Sequence, residues 1–513
     1  MTGATSKEAR PAQQPFKLRR DAVQPEALKL ISEVMARRYS VIPFEVKGNV
    51  LRVAMANPAD IFAIEALAHQ TQMRIEPEAA NAQEVLEAID FNYRSYTRIG
   101  DQISKISLSE ETAGEEIKSD IDAVTDAPVV KALTLILEEA VKARASDIHL
   151  QPDEDKMRVR YRIDGTLNDI STLPLKAGVS VISRIKIMAD MNIADHHRPQ
   201  DGQLSFKPSD RPEIDVRVGI IPVVNGEMAA LRLLDKSRAL LPLSSLGFLP
   251  ECQQKFEAML KVPHGMILLC GPTGAGKTTT LYSALNSLDK KGKNIITVED
   301  PVEYRFNGIN QIQVNAKAGL TFAAGLRSIL RLDPNVILVG EIRDNETAGI
   351  AIQSALTGHL VLSSIHANDA IGVVSRFLDL GSERFMIASA LTGVIAQRMA
   401  RKICPDCAQM VEAPVAEQTA YSKETGEERR EFLYGKGCKS CSYTGYRGRT
   451  GIFEILRISE GLRAMLLEGA NASQLRDQAL KEGMIPLMKD GMLKVKANIT
   501  TPAEVLRVAY SVE

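Results

Sequence analysis

The apolar run Met266-Ile-Leu-Leu-Cys270 passes directly into Gly271-Pro-Thr-Gly-Ala-Gly-Lys-Thr278, and this into Thr279-Thr-Leu-Tyr-Ser-Ala284, which suits a helix. Strand, glycine-rich loop and helix in that order restrict the fold more than any other stretch, because the loop belongs at the carboxyl end of a parallel strand. Gly271, Gly274 and Gly276 permit tight turns, so successive N–H groups can point at phosphate oxygens while the helix N-terminus adds the positive end of its dipole. Gly271, Pro272, Thr273, Gly274, Ala275, Gly276, Lys277, Thr278 and Thr279 form the expected cradle. Lys277 reaches the β- and γ-phosphates of a nucleoside triphosphate in such a loop, and the Thr278 hydroxyl ligates Mg²⁺. Further apolar runs at 294–298, 336–339 and 359–363 alternate with helical stretches, the βαβ rhythm of a mainly parallel sheet.

Transfer of a phosphoryl group to water needs a metal, a group that orients the water and positive charge at the oxygens. Two strand ends carry acids, Glu299-Asp300-Pro301-Val-Glu303 after Val298 and Gly340-Glu341-Ile-Arg-Asp344 after Val339. Ligands of open parallel sheets gather beyond the carboxyl ends of strands, where both clusters would face the loop. Glu299 is expected to position or deprotonate water and Glu341 to act on Mg²⁺ and its waters, or the two exchange these roles. His359 and His366 bracket the run Leu360-Val-Leu-Ser-Ser-Ile365. His366 is expected to sense the γ-phosphate by hydrogen bonding, and His359 and Asp300 are grouped with the nucleotide-binding residues.

Four of the six cysteines form two pairs, Cys404-Pro-Asp-Cys407 and Cys438-Lys-Ser-Cys441. Two C-x-x-C turns each aim two thiolates at one ion, the ligand set of a closed, structural Zn²⁺ site rather than a redox pair. The long gap between the pairs predicts a loop excursion through the charged stretch 417–430. Cys252 and Cys270 stand alone and read as buried residues.

With 513 residues, 45% of them hydrophobic, the chain can bury several cores, and its length suggests about three to four domains. Lys and Arg number 63 against 64 Asp and Glu, so there is no global field for nucleic acid or anionic membrane. That balance, with 5% aromatics and no Trp, argues against a nucleic-acid translocase. A nucleotide-switched docking module would need no complete hydrolytic site, and this site is complete. No apolar stretch approaches the roughly 20 residues that span a bilayer, and the first residues lack the apolar core of a signal peptide. A cytoplasmic chain whose membrane association is indirect, through a partner, is therefore expected.

Residues 1–20 are polar and read as a flexible tail, and 21–99 as a small α/β domain. The stretch 100–126 carries eight acids against two lysines and reads as a linker. A second α/β domain is expected over 127–244, where Met157, Val159, Tyr161 and Ile163 alternate with Arg158, Arg160 and Arg162 in period two. Arg217 and Arg232 lie between apolar residues and call for an anionic partner, carboxylate or phosphate. The nucleotide core covers 245–400, the tetracysteine region 401–450 and a helical region 451–513.

These residues together resemble one family, the type II secretion and type IV pilus-assembly ATPases, or GspE/PulE/PilB-like traffic ATPases. Gly271 to Thr280 looks like its Walker A loop and Thr297-Val-Glu-Asp-Pro-Val-Glu303 like its aspartate box. Leu332-Asp-Pro-Asn-Val-Ile-Leu-Val-Gly-Glu-Ile-Arg-Asp344 resembles its atypical Walker B, and Thr357 to His366 its histidine box. Ser146-Asp-Ile-His149, Arg198-Pro-Gln-Asp-Gly202, the four cysteines and Gly491 to Lys496 with Thr500 and Thr501 extend the likeness over 127–513. The resemblance implies an α/β fold with a RecA-like P-loop NTPase core, a preceding PAS-like domain, an N-terminal recruitment domain and a tetracysteine zinc subdomain. It implies a homohexamer that hydrolyses ATP with Mg²⁺ to drive type II protein secretion, with type IV pilus extension as the alternative. Implied partners are a cytoplasmic part of an inner-membrane adaptor protein and a polytopic membrane platform protein, at the inner membrane of a bacterium. Arg217 and Arg232 match family arginines that approach the γ-phosphate, which implies phosphate as their partner. Residues 25–96 resemble the recruitment domain, and the chain lacks the repeated Arg-Leu-Gly motifs with which some relatives bind cyclic di-GMP.

Overall fold

A computed structural model describes residues 23–89 except 83 and 87, residues 127–234 except 210, and residues 241–509. The expected tail 1–20 and linker 100–126 lie outside the described residues. The chain divides into two compact units, one ending at residue 233 and the other running from 234 to the end, with 164–166 belonging to the second.

The first unit contains two sheets. In the smaller, β1 (Val41–Lys47), β2 (Val50–Met55) and β3 (Arg74–Ala79) lie in sequence order, antiparallel and then parallel. The larger contains β4 (Ala145–Pro152), β5 (Lys156–Ile163), β6 (Thr166–Pro174), β7 (Gln200–Phe206), β8 (Ile214–Val223) and β9 (Gly226–Leu234), in the order β6-β5-β4-β9-β8-β7. One face of this sheet is apolar. Ile148, Leu150, Met157, Val159, Tyr161, Val216, Val218 and Leu231 pack there with the helices Ala127–Lys142 and Leu175–Met188. The alternation read in β5 places Arg158, Arg160 and Arg162 on the other face, where they pair with Asp153, Asp169 and Asp147.

The second unit is built on one seven-stranded sheet. Its strands are β10 (Gly265–Cys270), β11 (Ile295–Glu299), β12 (Asn310–Gln313), β13 (Val336–Val339), β14 (Leu360–Ile365), β15 (Leu391–Ile403) and β18 (Tyr446–Arg457), in the order β12-β11-β13-β14-β10-β15-β18. All neighbours are parallel except β15 and β18. Strands β10, β11, β13 and β14 are buried along their whole length, which explains apolar runs without alternation. Two differences from the sequence reading arise here. The sheet does not stop near 400, since β15 continues to Ile403 and its antiparallel partner supplies residues 446–457, so the segment 451–457 is strand rather than helix. The cysteine-bearing stretch is inserted between these two paired strands. Its gap is also no loop: β16 (Ala408–Glu412) and β17 (Glu431–Gly435) pair antiparallel around the helix Val415–Thr425, whose Tyr421 packs on Phe432 at a centroid distance of 5.0 Å.

The C-terminal helix Pro502–Ala509 is fastened to β15 by Glu504, which is buried and accepts from Arg401 (N at 3.0, Nε at 3.0 and Nη2 at 2.7 Å) and from Arg507 (Nε at 2.8 Å). Burial alone would raise the Glu504 carboxyl, but hydrogen bonds from Arg507 and Arg401 outweigh it and hold the group down to about 2, against an ordinary 4.5. A carboxyl held low contributes its stability above the unfolded value and loses it as pH falls from about 4.5 towards about 2. Replacing Glu504 by Gln leaves Arg401 uncompensated, and we expect urea unfolding at pH 7 to show a loss of about 3 kcal/mol, with a smaller difference from wild type at pH 3.

Candidate active site

The loop after β10 closes against β15, the neighbouring strand. Gly271 has φ 141°, and a Cβ there would lie 2.3 Å from the Gln397 carbonyl oxygen; Gly276 has φ 87°, and its Cβ would meet the Gln397 side-chain amide at 2.9 Å. Glycine at these positions therefore provides both the left-handed backbone and the close approach. Gly274, at φ 79°, faces open space. The helix Lys277–Ser287 starts from Gly276 with no side-chain cap, so its first N–H groups are available to an anion. Gln397 also accepts from the Thr280 hydroxyl at 2.8 Å, which ties the first turn of this helix to β15. Its role was not legible in the sequence, where it stands 120 residues from the loop.

Lys277 donates to the carbonyls of Gly271 at 2.7 Å and Pro272 at 3.1 Å, so its ammonium lies inside the loop that would hold phosphate. Burial pushes this ammonium below the usual lysine range, with nearby Glu341 acting the other way. Thr273, Gly274 and Thr278 are exposed and Ala275 is buried. A glycine-rich loop that opens into an uncapped helix N-terminus, a half-buried ammonium and a threonine hydroxyl at the helix start fit a triphosphate with Mg²⁺.

The parallel register brings the ends of β10, β13 and β14 level, Cys270 opposite Ile365 and Val339 opposite Ser363. Glu341, just past β13, accepts from Arg343 and lies 3.5 Å from His366 Nε2, which is exposed just past β14. Lys277, Glu341 and His366 thus converge at one end of the sheet. Asp344 of the same cluster caps the helix Asn345–Leu356, accepting from Thr347 N at 2.8 Å. Asp300 is exposed beyond the end of β11.

Two expectations change. Glu299 is not open to a nucleotide: it is 4% exposed and accepts from the Tyr282 hydroxyl, from Thr297 Oγ1 at 2.5 Å and from Gln311 Nε2 at 3.1 Å. As the last residue of β11 it shares the face of Thr297 and points under the helix Lys277–Ser287. His359 is at the wrong end of the sheet. It precedes β14, its carbonyl accepts from Gly265 N at 3.1 Å, and its Nδ1 lies 2.9 Å from the Ser354 carbonyl oxygen. A six-residue strand separates it from His366 by about 20 Å, so it is not a nucleotide ligand of its own chain.

Arg217 and Arg232 belong to the first unit. Their flanking apolar residues Val216, Val218, Leu231 and Leu233 turn into the core, and both arginines stand on the opposite face. The anion found by Arg232 is a carboxylate, with Nε 3.2 Å from Asp147 Oδ1, where the resemblance implied phosphate. At 61% exposure the guanidinium is held weakly by this pair and remains open to a stronger anion. Arg217 is half-buried opposite Gln203.

The four thiols of Cys404, Cys407, Cys438 and Cys441 lie within 4.8 Å of one another, with Sγ separations of 3.8 Å (404 to 438), 3.9 Å (407 to 441) and 3.7 Å (438 to 441). Four sulfurs at about 2.3 Å around a tetrahedral ion stand about 3.8 Å apart, so this set fits Zn²⁺. Backbone N–H groups of Gly437 (3.2 Å, to Cys407), Cys438 (3.1 Å, to Cys441) and Gly445 (3.3 Å, to Cys441) point at the sulfurs and favour thiolates. Cys252 and Cys270 are buried, as read from the sequence.

Comparison with known proteins decides the assignment. Residues 122–507 match the family described as Type II/IV secretion system protein, and residues 12–98 match the MshEN domain. The chain belongs to the type II/IV secretion system protein family. Within it, the chain is 42% identical to the type IV pilus assembly ATPase PilB of Myxococcus xanthus, covering 94% of this chain and 87% of that one. It is 41% identical to the type II secretion system protein E of Dickeya dadantii, covering 90% and 88%. The solved pilus retraction motor PilT with bound ADP matches at 25% identity and a TM-score of 0.51, over 74% of this chain and 97% of that one. The secretion-family core is accordingly a RecA-like ATPase fold, and the chain is an ATP hydrolase.

A side chain at Gly271 must displace the Gln397 backbone. We expect Gly271→Ala to raise the dissociation constant of a fluorescent ATP analogue about tenfold or more, corresponding to roughly 1.4 kcal/mol or more. Gly274→Ala, which meets no neighbour, should cost less in the same titration.

Proposed function

We propose that this chain is the ATPase of a type II secretion system, converting ATP turnover into assembly of a pseudopilus. The observation that carries this reading is the convergence of Lys277, Glu341 and His366 at a complete phosphate loop in a chain with secretion-system relatives over most of its length. In this reading the loop N–H groups and Lys277 hold the β- and γ-phosphates, and Thr278 holds Mg²⁺. The metal, when bound, neutralises charge on the phosphate oxygens. Glu341, rather than Glu299, orients the attacking water, because its carboxylate borders Lys277 and His366 while that of Glu299 is enclosed. His366 hydrogen-bonds the γ-phosphate region. Arg217 and Arg232 supply further positive charge to the γ-phosphate, a role that rests on the family resemblance.

The ATPase works as a homohexamer on the cytoplasmic side of a bacterial inner membrane. Among the described residues no helix is long and apolar enough to cross a membrane, in keeping with docking through an adaptor and a polytopic platform protein. Zn²⁺ in the tetracysteine site cross-links the insertion structurally, its four positions being filled by the protein. Type IV pilus extension is the second reading, favoured by the pilus relative that covers 94% of the chain. Cross-linking in cells with Lys277→Ala as an idle motor separates them: pseudopilin and secretion-adaptor peptides support the first, and pilus platform and alignment proteins the second.

Two outcomes test the chemistry. Glu341→Gln should lower kcat by about a hundredfold or more while nucleotide affinity changes little, because the carboxylate acts on water rather than on binding. Equal loss of both would move Glu341 from catalysis to binding. Chelation of zinc, followed by metal analysis, should lower the melting temperature and open the insertion to protease, and Cys438→Ser should behave as the chelated protein does.

A further inference from the structure

Glu299 meets three donors inside the protein and is only 4% exposed, so its carboxylate is shut away from solvent. Its Oε2 takes the Tyr282 hydroxyl and its Oε1 takes Thr297 and Gln311. Tyr282 stands five residues, about 7.5 Å, along the helix that begins at Lys277. Its hydroxyl also accepts from the Glu303 backbone N–H at 3.2 Å, and its ring packs edge-on against Phe306 at 4.8 Å and Tyr304 at 6.1 Å. Gln311 completes the enclosure by donating to the Tyr304 carbonyl at 2.9 Å and accepting from Phe306 N at 2.9 Å. Burial, and next to it the Glu299 charge, push the Tyr282 phenol far above its ordinary value, so it remains a neutral donor.

We propose that Tyr282 is a positioning residue: with Glu299 it ties the helix of the phosphate loop to the segment 299–306, and Glu299 acts through this tie rather than at the phosphates. The helix N-terminus carries Lys277 and Thr278, so any shift of that helix on nucleotide binding is passed to Asp300 and its neighbours beyond β11. This rests on the ATPase reading above, in which Glu341 faces the phosphates. A phenylalanine at 282 keeps the ring contacts and removes only the hydroxyl, leaving one Glu299 oxygen and one backbone N–H without their partner.

The experiment compares full-length wild type, Tyr282→Phe, Glu299→Gln and the double variant, by steady-state hydrolysis of saturating Mg-ATP and by titration with a fluorescent ATP analogue. Tyr282→Phe is expected to lower kcat by about tenfold or more, what one lost hydrogen bond to a buried charge amounts to, with the dissociation constant changed less than about twofold. The double variant should be no slower than the slower single one, since both remove the same tie. Unchanged kcat in Tyr282→Phe overturns the proposal, as do multiplicative losses in the double variant, which would put Glu299 to work separately. Loss of nucleotide binding in step with kcat makes Tyr282 merely structural and also overturns it. A wild type that neither binds nor hydrolyses ATP would instead sink the ATPase reading itself.

Discussion

Two glycines of the phosphate loop close on a single residue of the adjacent strand, and that contact sets the frame for the rest of the site. Gln397 meets Gly271 with its carbonyl and Gly276 with its side chain, and holds Thr280 one turn into the helix. The loop is therefore shaped by β15 rather than by its own sequence alone. Because β10 also pairs with β14, and β14 with β13, the backbone ladder that fixes the loop carries His366 and Glu341 to the same level. Hydrogen bonds past the strand ends keep that level: Gly340 N to the Val298 carbonyl at 2.8 Å, Ile342 N to that of Ser364 at 2.9 Å, and the Ser364 hydroxyl to that of Gly340 at 2.9 Å.

Two carboxylates at neighbouring strand ends meet different fates because one belongs to the pleat and the other does not. Glu299 is the last paired residue of β11, so alternation commits it to the face covered by the helix Lys277–Ser287. Glu341 lies two residues beyond the end of β13, past Gly340, where alternation no longer directs the side chain. In the first place a charge is tolerable only with donors, which Tyr282, Thr297 and Gln311 provide. In the second, partial exposure and a neighbouring lysine keep the carboxylate available for chemistry.

Local features of the fold were legible in the sequence and relations between distant elements were not. The phosphate loop, the buried parallel strands and the thiol pairs each arise from neighbouring residues with a strong conformational or ligand preference. Period two in β5 was also readable, and around Arg217 and Arg232 it turns the apolar neighbours away from the arginines into the core, while Arg232 finds the carboxylate of Asp147. His359 and His366 bracket one strand and therefore look equivalent as text, while the strand's length places them at opposite ends of the sheet. Tyr282, Gln311 and Gln397 carried no signal of their own, because a neutral polar side chain in a helix or strand becomes functional only through a partner that tertiary packing supplies. The charged stretch 417–430 read as a loop excursion, whereas it holds most of a helix whose Tyr421 packs on Phe432.

Strands β15 and β18 are adjacent and antiparallel, yet residues 404–445 separate them in sequence. A short turn would join such strands at small entropic cost, whereas an insertion of this length must be closed by interactions of its own. The neck is narrow: Cys404 N donates to the Gly445 carbonyl at 3.0 Å, and Gly435 and Gly445 approach so closely that a Cβ on the former would fall 1.9 Å from that same oxygen. All four thiols stand at this neck, so an ion held there closes the loop where closure matters and leaves the hairpin of β16 and β17 outside it. Arg401, two residues before β15 ends, stacks on Tyr446 at 4.2 Å and binds Glu504 of the last helix. The register of β15 is thus held from one side by the cysteine-bearing neck and from the other by the C-terminal helix. Since β15 is also the strand on which the phosphate loop rests, the tetracysteine insertion and the nucleotide site are joined through the backbone of a single strand.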